Sequence, residues 1–227
     1  MSTAVLLSGG LDSAVLLAEE AQRAEVQPVY ISVGLAWEPA ERDAVRHFLA
    51  DGFRSPRVRP LASLSVDMTD VYPAAHWGRT GQAPGYHTPD EDVYLAGRNI
   101  VLLGKAGVFC ATAKLDRLVI GTLDHNPFPD ATPAFRAAMA AALSLGLAHP
   151  LEIDAPYARV SKAEVIARGQ RAGVRLELTL SCMNARRNGD AFPRHCGICS
   201  KCRERHDAFL DAKVADLTDY ADRSFTG

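Results

Sequence analysis

No stretch of the 227 residues approaches the roughly 20 consecutive apolar side chains that span a bilayer, so a membrane-crossing helix is not expected. Basic residues are not in excess: 25 Lys and Arg stand against 27 Asp and Glu, which removes the electrostatic basis for broad nucleic-acid binding. The opening Met1-Ser2-Thr3-Ala4-Val5-Leu6-Leu7 lacks the basic start of a secretion signal, and Gly9-Gly10 cuts its apolar run short. It reads instead as the first strand of a cytoplasmic enzyme. No Gly-Lys-Ser/Thr closes a glycine-rich loop, which excludes a Walker phosphate loop, and no Gly-x-Gly-x-x-Gly supports a dinucleotide fingerprint. Internal repeats and low-complexity tracts are also missing.

Cysteine is scarce but concentrated. Four of the five fall in one short polar stretch: Cys182, then after thirteen residues Cys196-Gly197-Ile198-Cys199-Ser200-Lys201-Cys202. Two-residue gaps let consecutive sulfurs face one ion, and tetrahedral Zn2+ takes four thiolates. A pair of disulfides is the alternative, and it suits a secreted chain better than this one. Four thiolates leave no open position for water, so the zinc is expected to be structural, and His195 beside Cys196 is not expected to bind it. The fifth, Cys110, lies among apolar residues and reads as packing. Arg186, Arg187 and Arg194, inside the cysteine stretch, read as a solvated loop.

Strand-like runs at 4–7, 28–33, 58–61, 117–121 and 150–153 alternate with helical patterns at 13–25, 40–51, 99–114, 133–147, 161–172 and about 199–215. That alternation predicts an α/β fold, a parallel sheet flanked by helices. The pattern at 99–114 is apolar nearly all round and reads as a buried helix. Ser161-Lys162-Ala163-Glu164 has the form of a capping box. Residues 63–93, with six prolines and glycines among aromatic residues between 73 and 89, read as a long loop or lid, or as a loop pinned to the core.

Ser8-Gly9-Gly10-Leu11-Asp12-Ser13 falls between the first strand and the first helix. Two glycines let the backbone turn tightly against an anion, and the N–H groups at the start of a helix attract phosphate. Ser8 and Ser13 add hydroxyls. Asp12 cannot itself bind phosphate and implies a bridging Mg2+. The plainer alternative is a glycine turn with Asp12 as a helix cap. Lys162 opposes the dipole of its own helix, which makes sense if it reaches a phosphate; a solvated lysine is the other reading. Arg98, after Gly97, suits a phosphate or carboxylate in bidentate fashion, or a structural salt bridge. Asp130 and Asp124 read as ligands for Mg2+ or for a substrate's ring edge, or as turn residues, the turn being preferred for Asp124.

Ser-Gly-Gly-x-Asp-Ser after an N-terminal strand resembles the pyrophosphate loop of the N-type ATP pyrophosphatases, which adenylate a carbonyl oxygen. The cysteine tail narrows the resemblance to the QueC family of 7-cyano-7-deazaguanine synthases. Tyr94-Leu95-Ala96-Gly97-Arg98-Asn99 resembles the family's Tyr-Val-Pro-Gly-Arg-Asn. Phe128-Pro129-Asp130 with Pro133 and Phe135, Ser161-Lys162-Ala163-Glu164, and Thr179-Leu180-Ser181-Cys182 also resemble family segments, so the resemblance runs through nearly the whole chain in order. It implies a Rossmann-like fold of the adenine nucleotide α-hydrolase type over residues 1–178, with a zinc-binding module at 179–227 packed on it. It implies ATP with Mg2+ held by Leu7, Ser8, Gly9, Gly10, Leu11, Asp12, Ser13 and Gly97. Asp12, Lys162 and Arg98 become the catalytic residues, and Arg98, Asn99 and Asp130 the substrate contacts. Cys182, Cys196, Cys199 and Cys202 become the zinc ligands. The implied partners are a small carboxylated deazapurine and ammonia, with a homodimer left open and neither membrane nor nucleic acid engaged.

The chain departs from the family in places. Val33-Gly34-Leu35-Ala36-Trp37 stands where the family has Tyr-Gly-Gln-Arg-His, and Ala131-Thr132 where it has Cys-Arg. The segment from Gly121 to Asp130 is about two residues shorter than the family's. Two arginines are thus missing near the pocket. Three other readings remain: a relative that adenylates a different carboxylate or stops at the amide, a tRNA-thiolating enzyme of the superfamily, and a zinc-ribbon binding module on a degenerate nucleotide fold.

Overall fold

The computed structural model describes residues 2–124 and 126–225; Met1 of the opening segment and residues 226–227 of the C-terminal module lie outside it. Five parallel strands form one sheet in the order β3-β2-β1-β4-β5. They are β1 (Thr3–Leu6), β2 (Val26–Ser32), β3 (Ala62–Ser65), β4 (Arg117–Val119) and β5 (Glu152–Asp154). Register runs from Thr3 opposite Val26 on one side of β1 and opposite Arg117 on the other. The expected α/β class is the observed one.

Successive side chains of β1 serve different cores. Val5 joins a cluster with α1 (Leu11–Arg23), α6 (Lys162–Arg171) and Phe209 of α7 (Ser200–Ala212). Ala4 joins the other, with α4 (Arg98–Ala113) and residues of α5 (Pro133–Leu147). Alternation along a strand buried on both faces produces this two-sided packing. Between β2 and β3 run α2 (Glu38–His47) and a π turn at Phe48–Gly52, where Gly52 has no room for a Cβ against Phe48. The short α3 (Trp77–Thr80) punctuates the long loop. Among the described residues no helix is long and apolar enough to cross a membrane.

Several expected elements shift for identifiable reasons. The third strand is residues 62–65, not 58–61; Val58 makes a single bridge to Val26, and Pro60, lacking an N–H, separates it from the ladder. The true β3, Ala-Ser-Leu-Ser, is a half-exposed edge strand without an apolar run to advertise it. Helix α4 is not buried all round: Leu103, Ala106, Gly107 and Cys110 face the sheet, while Ile100 and Val108 remain half-exposed. Helix α1 begins at Leu11, two residues early, which puts Asp12 and Ser13 in its first turn. The last helix stops at Ala212, where Lys213 turns left-handed at φ 56°. Ser161 caps α6 by accepting the Glu164 N–H at 3.2 Å. The reciprocal half of the box does not form, because Glu164 Oε1 accepts instead from Arg168 and Arg171, both at 3.1 Å.

The long loop is pinned rather than open. Tyr72 and Tyr86 are buried, and Trp77 stacks on Trp37 with centroids 5.2 Å apart. Its far end meets the cysteine stretch, where Gly85 bridges to Cys199 and the Ser200 N–H donates to Pro84 O.

Candidate active site

From β1 the chain crosses to β2 on one side and later reaches β4 on the other. Open α/β sheets take ligands in the crevice outside the strand ends at such a reversal. A cleft of about 290 Å3 opens there, walled by Ser8, Gly10 and Asp12 of the first loop, by Tyr30 and Glu41, by Tyr94, Arg98 and Asn99, and by Gly121, Phe128 and Asp130.

The Ser8–Ser13 loop owes its shape to the main chain. Gly9 takes φ +79°, and a Cβ on it would meet Val45 at 3.1–3.2 Å and Ala44 at 3.3 Å, so α2 presses directly on the turn. The Gly9 carbonyl accepts from the Leu180 N–H at 2.7 Å, and the Ser13 hydroxyl donates to Gly10 O at 3.0 Å. Gly10 is the N-cap of α1 and supplies no side-chain cap, so the first-turn N–H groups lie at the cleft without one. Asp12 is therefore not a helix cap. Its Oδ1 is buried without a hydrogen-bond partner, an arrangement that fits a divalent cation. Leu7, Ser8, Gly10, Asp12 and Ser13 line the cleft; Leu11 points into the core beneath, leaving its main chain alone to face a ligand.

Lys162, the first residue of α6, pairs with Glu204 of α7 and lies 3.5 Å from Asp12 Oδ2. Lys201 donates to the other Glu204 oxygen at 2.7 Å. Burial raises the Asp12 carboxyl above its ordinary range despite the nearby Lys162. Burial would also raise Glu204, yet Lys162 and Lys201 hold it at about 2. Burial disfavours the Lys162 ammonium, but Asp12 and Glu204 outweigh it and keep the lysine charged.

At the other end, Gly97 takes φ +76° and delivers Arg98 as the first residue of α4. The Arg98 guanidinium sits 5.8 Å above the Trp37 ring, and its Nε is buried without a partner. Asp130 accepts from the Asn99 N–H at 3.1 Å and from Asn99 Nδ2 at 3.2 Å, tying the start of α4 to the Pro129–Ala131 turn. Burial raises the Asp130 carboxyl, and the Asn99 donors and Arg98 oppose the rise. Tyr94 stacks on Phe128 at 5.0 Å across the cleft. Glu41 accepts from the Tyr30 hydroxyl at 3.3 Å; burial raises its carboxyl and Arg98 pulls it back.

The structure thus gathers Leu7, Ser8, Gly10, Asp12, Ser13, Arg98, Asn99 and Asp130 around one cleft; Gly9, Leu11, Gly97 and Lys162 are not in its lining, and Lys162 reaches it only against Asp12. It puts Arg187 on Asp43 and Arg194 on Asp219, both at the surface. The Asp124 N–H donates to Val160 O. Cys110 is fully buried, and burial pushes its thiol up to about 12, consistent with packing. Glu41 and Glu204 escaped the sequence reading, because nothing near either residue signals what the fold brings opposite it.

The four sulfurs of Cys182, Cys196, Cys199 and Cys202 lie within 4.8 Å of one another and are buried. Two of the separations are 3.9 Å, close to the roughly 3.8 Å edge of a tetrahedron with 2.3 Å metal–sulfur bonds and about twice a disulfide bond. The Cys196 and Asn184 N–H groups donate to Cys182 Sγ at 3.3 Å, as suits a thiolate. This set can hold a metal ion. His195 is fully buried, accepts the Ser181 N–H at 3.2 Å and stands outside the set. Gly197, at φ +85°, has no room for a side chain, since a Cβ would lie 1.9 Å from Asp222 O.

The family model described as "Queuosine biosynthesis protein QueC" matches residues 2–213. Among curated proteins, the chain is 32% identical over 228 residues to the 7-cyano-7-deazaguanine synthase of Anaeromyxobacter dehalogenans, covering 96% of this chain and 94% of the other. The enzyme of that name from Hydrogenovibrio crunogenus gives the same identity and coverage. The one from an Azoarcus species is 33% identical over 235 residues, with 96% of each chain covered.

Proposed function

The chain belongs to the QueC family of queuosine biosynthesis proteins, and from that premise we propose that it is an ATP-dependent carbon–nitrogen ligase making 7-cyano-7-deazaguanine from 7-carboxy-7-deazaguanine and ammonia in the cytoplasm. The observation that carries this reading is the cleft itself. A phosphate-shaped loop with an unpartnered Asp12 oxygen stands at one end, and Arg98, with an unpartnered Nε, at the other.

In the proposed reaction a substrate carboxylate oxygen attacks the α-phosphorus of ATP, and pyrophosphate leaves. Ammonia adds to the acyl carbon and AMP departs, giving the amide. The amide oxygen takes AMP from a second ATP, again releasing pyrophosphate; loss of both nitrogen protons and of AMP, which carries the amide oxygen away, leaves the nitrile. No enzyme nucleophile is required, so the protein's work is positioning and charge neutralisation. The first-turn N–H groups of α1 and the Ser8 and Ser13 hydroxyls hold the departing pyrophosphate, Lys162 adds positive charge beside Asp12, and Arg98 orients the carboxylate. Asp12 would hold Mg2+, which neutralises phosphate charge. Zn2+ would sit on the four cysteines and supply fold, not chemistry.

One observation favours the second reading, a relative acting on a different carboxylate or stopping at the amide. Leu35 is buried in the core and Trp37 stacks on Trp77, so this segment offers the cleft no guanidinium in place of the missing arginine. Incubation with ATP, ammonia and 7-carboxy-7-deazaguanine, followed by mass spectrometry, decides between them. The expected outcome is the nitrile with two AMP and two pyrophosphate per product. Pyrophosphate released only with other acids, or accumulation of the amide alone, would overturn the assignment.

A further inference from the structure

Lysine carries a long flexible stem, about 2 kcal/mol of rotamer entropy, so a lysine that serves a phosphate gains from an anchor. Lys162 has one that comes from another part of the chain. Its Nζ contacts Glu204 Oε1 and lies 3.5 Å from Asp12 Oδ2, and its side chain is only 14% exposed. An ammonium has three N–H donors. Glu204 takes one and Asp12 is near a second; Lys162 is outside the cleft's lining, so the third would serve a phosphate oxygen only at the edge of the cleft that Asp12 forms.

Glu204 is itself fixed on several sides. Its other oxygen accepts from Lys201. Helix α7 starts at the cysteine cluster, with Cys199 as its N-cap and Cys202 in its first turn. The next residue, Arg205, is fully buried and donates to Thr179 Oγ1 at 2.9 Å, Leu176 O at 2.7 Å and Thr218 Oγ1 at 2.8 Å. Those bonds lock α7 to the segment whose Leu180 N–H holds Gly9 O. The cysteine module therefore touches the phosphate loop twice, through the Leu180 amide and through Glu204, Lys162 and Asp12 in series.

We propose that Glu204 is a positioning residue that holds the Lys162 ammonium beside Asp12 and so presets the cationic edge of the phosphate loop from the cysteine module. The inference rests on the reading of residues 8–13 as a pyrophosphate loop served by Lys162. It does not depend on which carboxylate is adenylated.

A double-mutant cycle read by calorimetric titration of Mg·ATP tests it, using full-length protein of measured metal content. Glu204→Ala should weaken ATP binding about 10-fold, and Glu204→Gln, which keeps an acceptor for Lys162, by less. Lys162→Ala with Glu204→Ala should bind no more weakly than Lys162→Ala alone. Additive losses, or ATP affinity unchanged in Glu204→Ala, would overturn the role. So would loss of metal or of thermal stability in both Glu204 variants, which would mark a structural salt bridge. Wild-type protein that binds Mg·ATP and obeys the cycle yet yields no nitrile would break the proposed function alone. An additive cycle in an enzyme that makes nitrile would break this inference alone.

Discussion

The two ends of the cleft are built in different ways. At the end proposed to hold phosphate the residues are consecutive, and their shape is main-chain: Gly9 at φ +79° wedged against Val45, and α1 opening at an uncapped Gly10. At the far end Tyr30, Glu41, Arg98 and Phe128 arrive from four separate segments and act through side chains. A backbone cradle tolerates little substitution, because a Cβ at Gly9 would push on α2. Side chains at the far end can be exchanged while the fold stays as it is. Ala36 and Thr132, which stand where the family carries arginine, belong to segments that adjoin that end, so the chain differs from its relatives beside the side-chain-built half and not in the backbone-built one.

This contrast makes different demands on different variants. Cys199→Ser should have the largest effect, because structural zinc supplies folding free energy outright: loss of metal by elemental analysis and a fall in melting temperature of about 10 °C or more. Since Leu180 and Glu204 reach the phosphate loop, that variant should also lose ATP affinity; a stable, fully metallated protein would break the link. Asp12→Ala should slow pyrophosphate release by about 10³-fold with little change in melting temperature, as befits loss of charge stabilisation at one point. Arg98→Lys should raise KM for the carboxylated substrate about 10- to 100-fold, since a guanidinium stacked on Trp37 is not replaced by an ammonium. The ATP affinity of that variant should stay near wild type, and a matching loss would show the two ends to be one site.

The smallest effect concerns pH. The folded Glu41 carboxyl titrates above its ordinary value of 4.5, so the folded protein keeps a proton that the unfolded chain releases. Ionised Glu41 therefore costs stability at neutral pH, and the cost fades as pH falls through the raised value toward 4.5. Glu41→Gln should melt higher than wild type at pH 8 by at most about 4 °C, with the gap closing by pH 4. A gap that widens on acidification would contradict the burial argument.

The features readable in the sequence are those whose cause is local. Ser8–Ser13, the Cys-x-x-Cys-x-x-Cys run, the Pro133 start of α5 and the Ser161 cap each depend on neighbours a few residues away. Alternating strand and helix patterns were enough for the parallel sheet. What escaped was decided at a distance. Ala62–Ser65 is a strand because β2 lies beside it, not because Ala-Ser-Leu-Ser favours one. Helix α4 looks buried on every side, yet one stripe alone meets the sheet, and its composition gives no sign of which side is left bare. Glu204 meets Lys162 across 42 residues, and Glu41 enters the cleft from a helix whose sequence pattern does not mark which polar residue faces inward.

The central claim is that residues 8–13 grip the pyrophosphate portion of ATP. A crystal structure with Mg2+ and an ATP analogue resistant to α,β cleavage tests it most directly. Phosphate oxygens are expected on the first-turn amides of α1 and the metal on Asp12 Oδ1, with the α-phosphate facing Arg98. Nucleotide bound elsewhere, with this loop and Asp12 untouched, would contradict it.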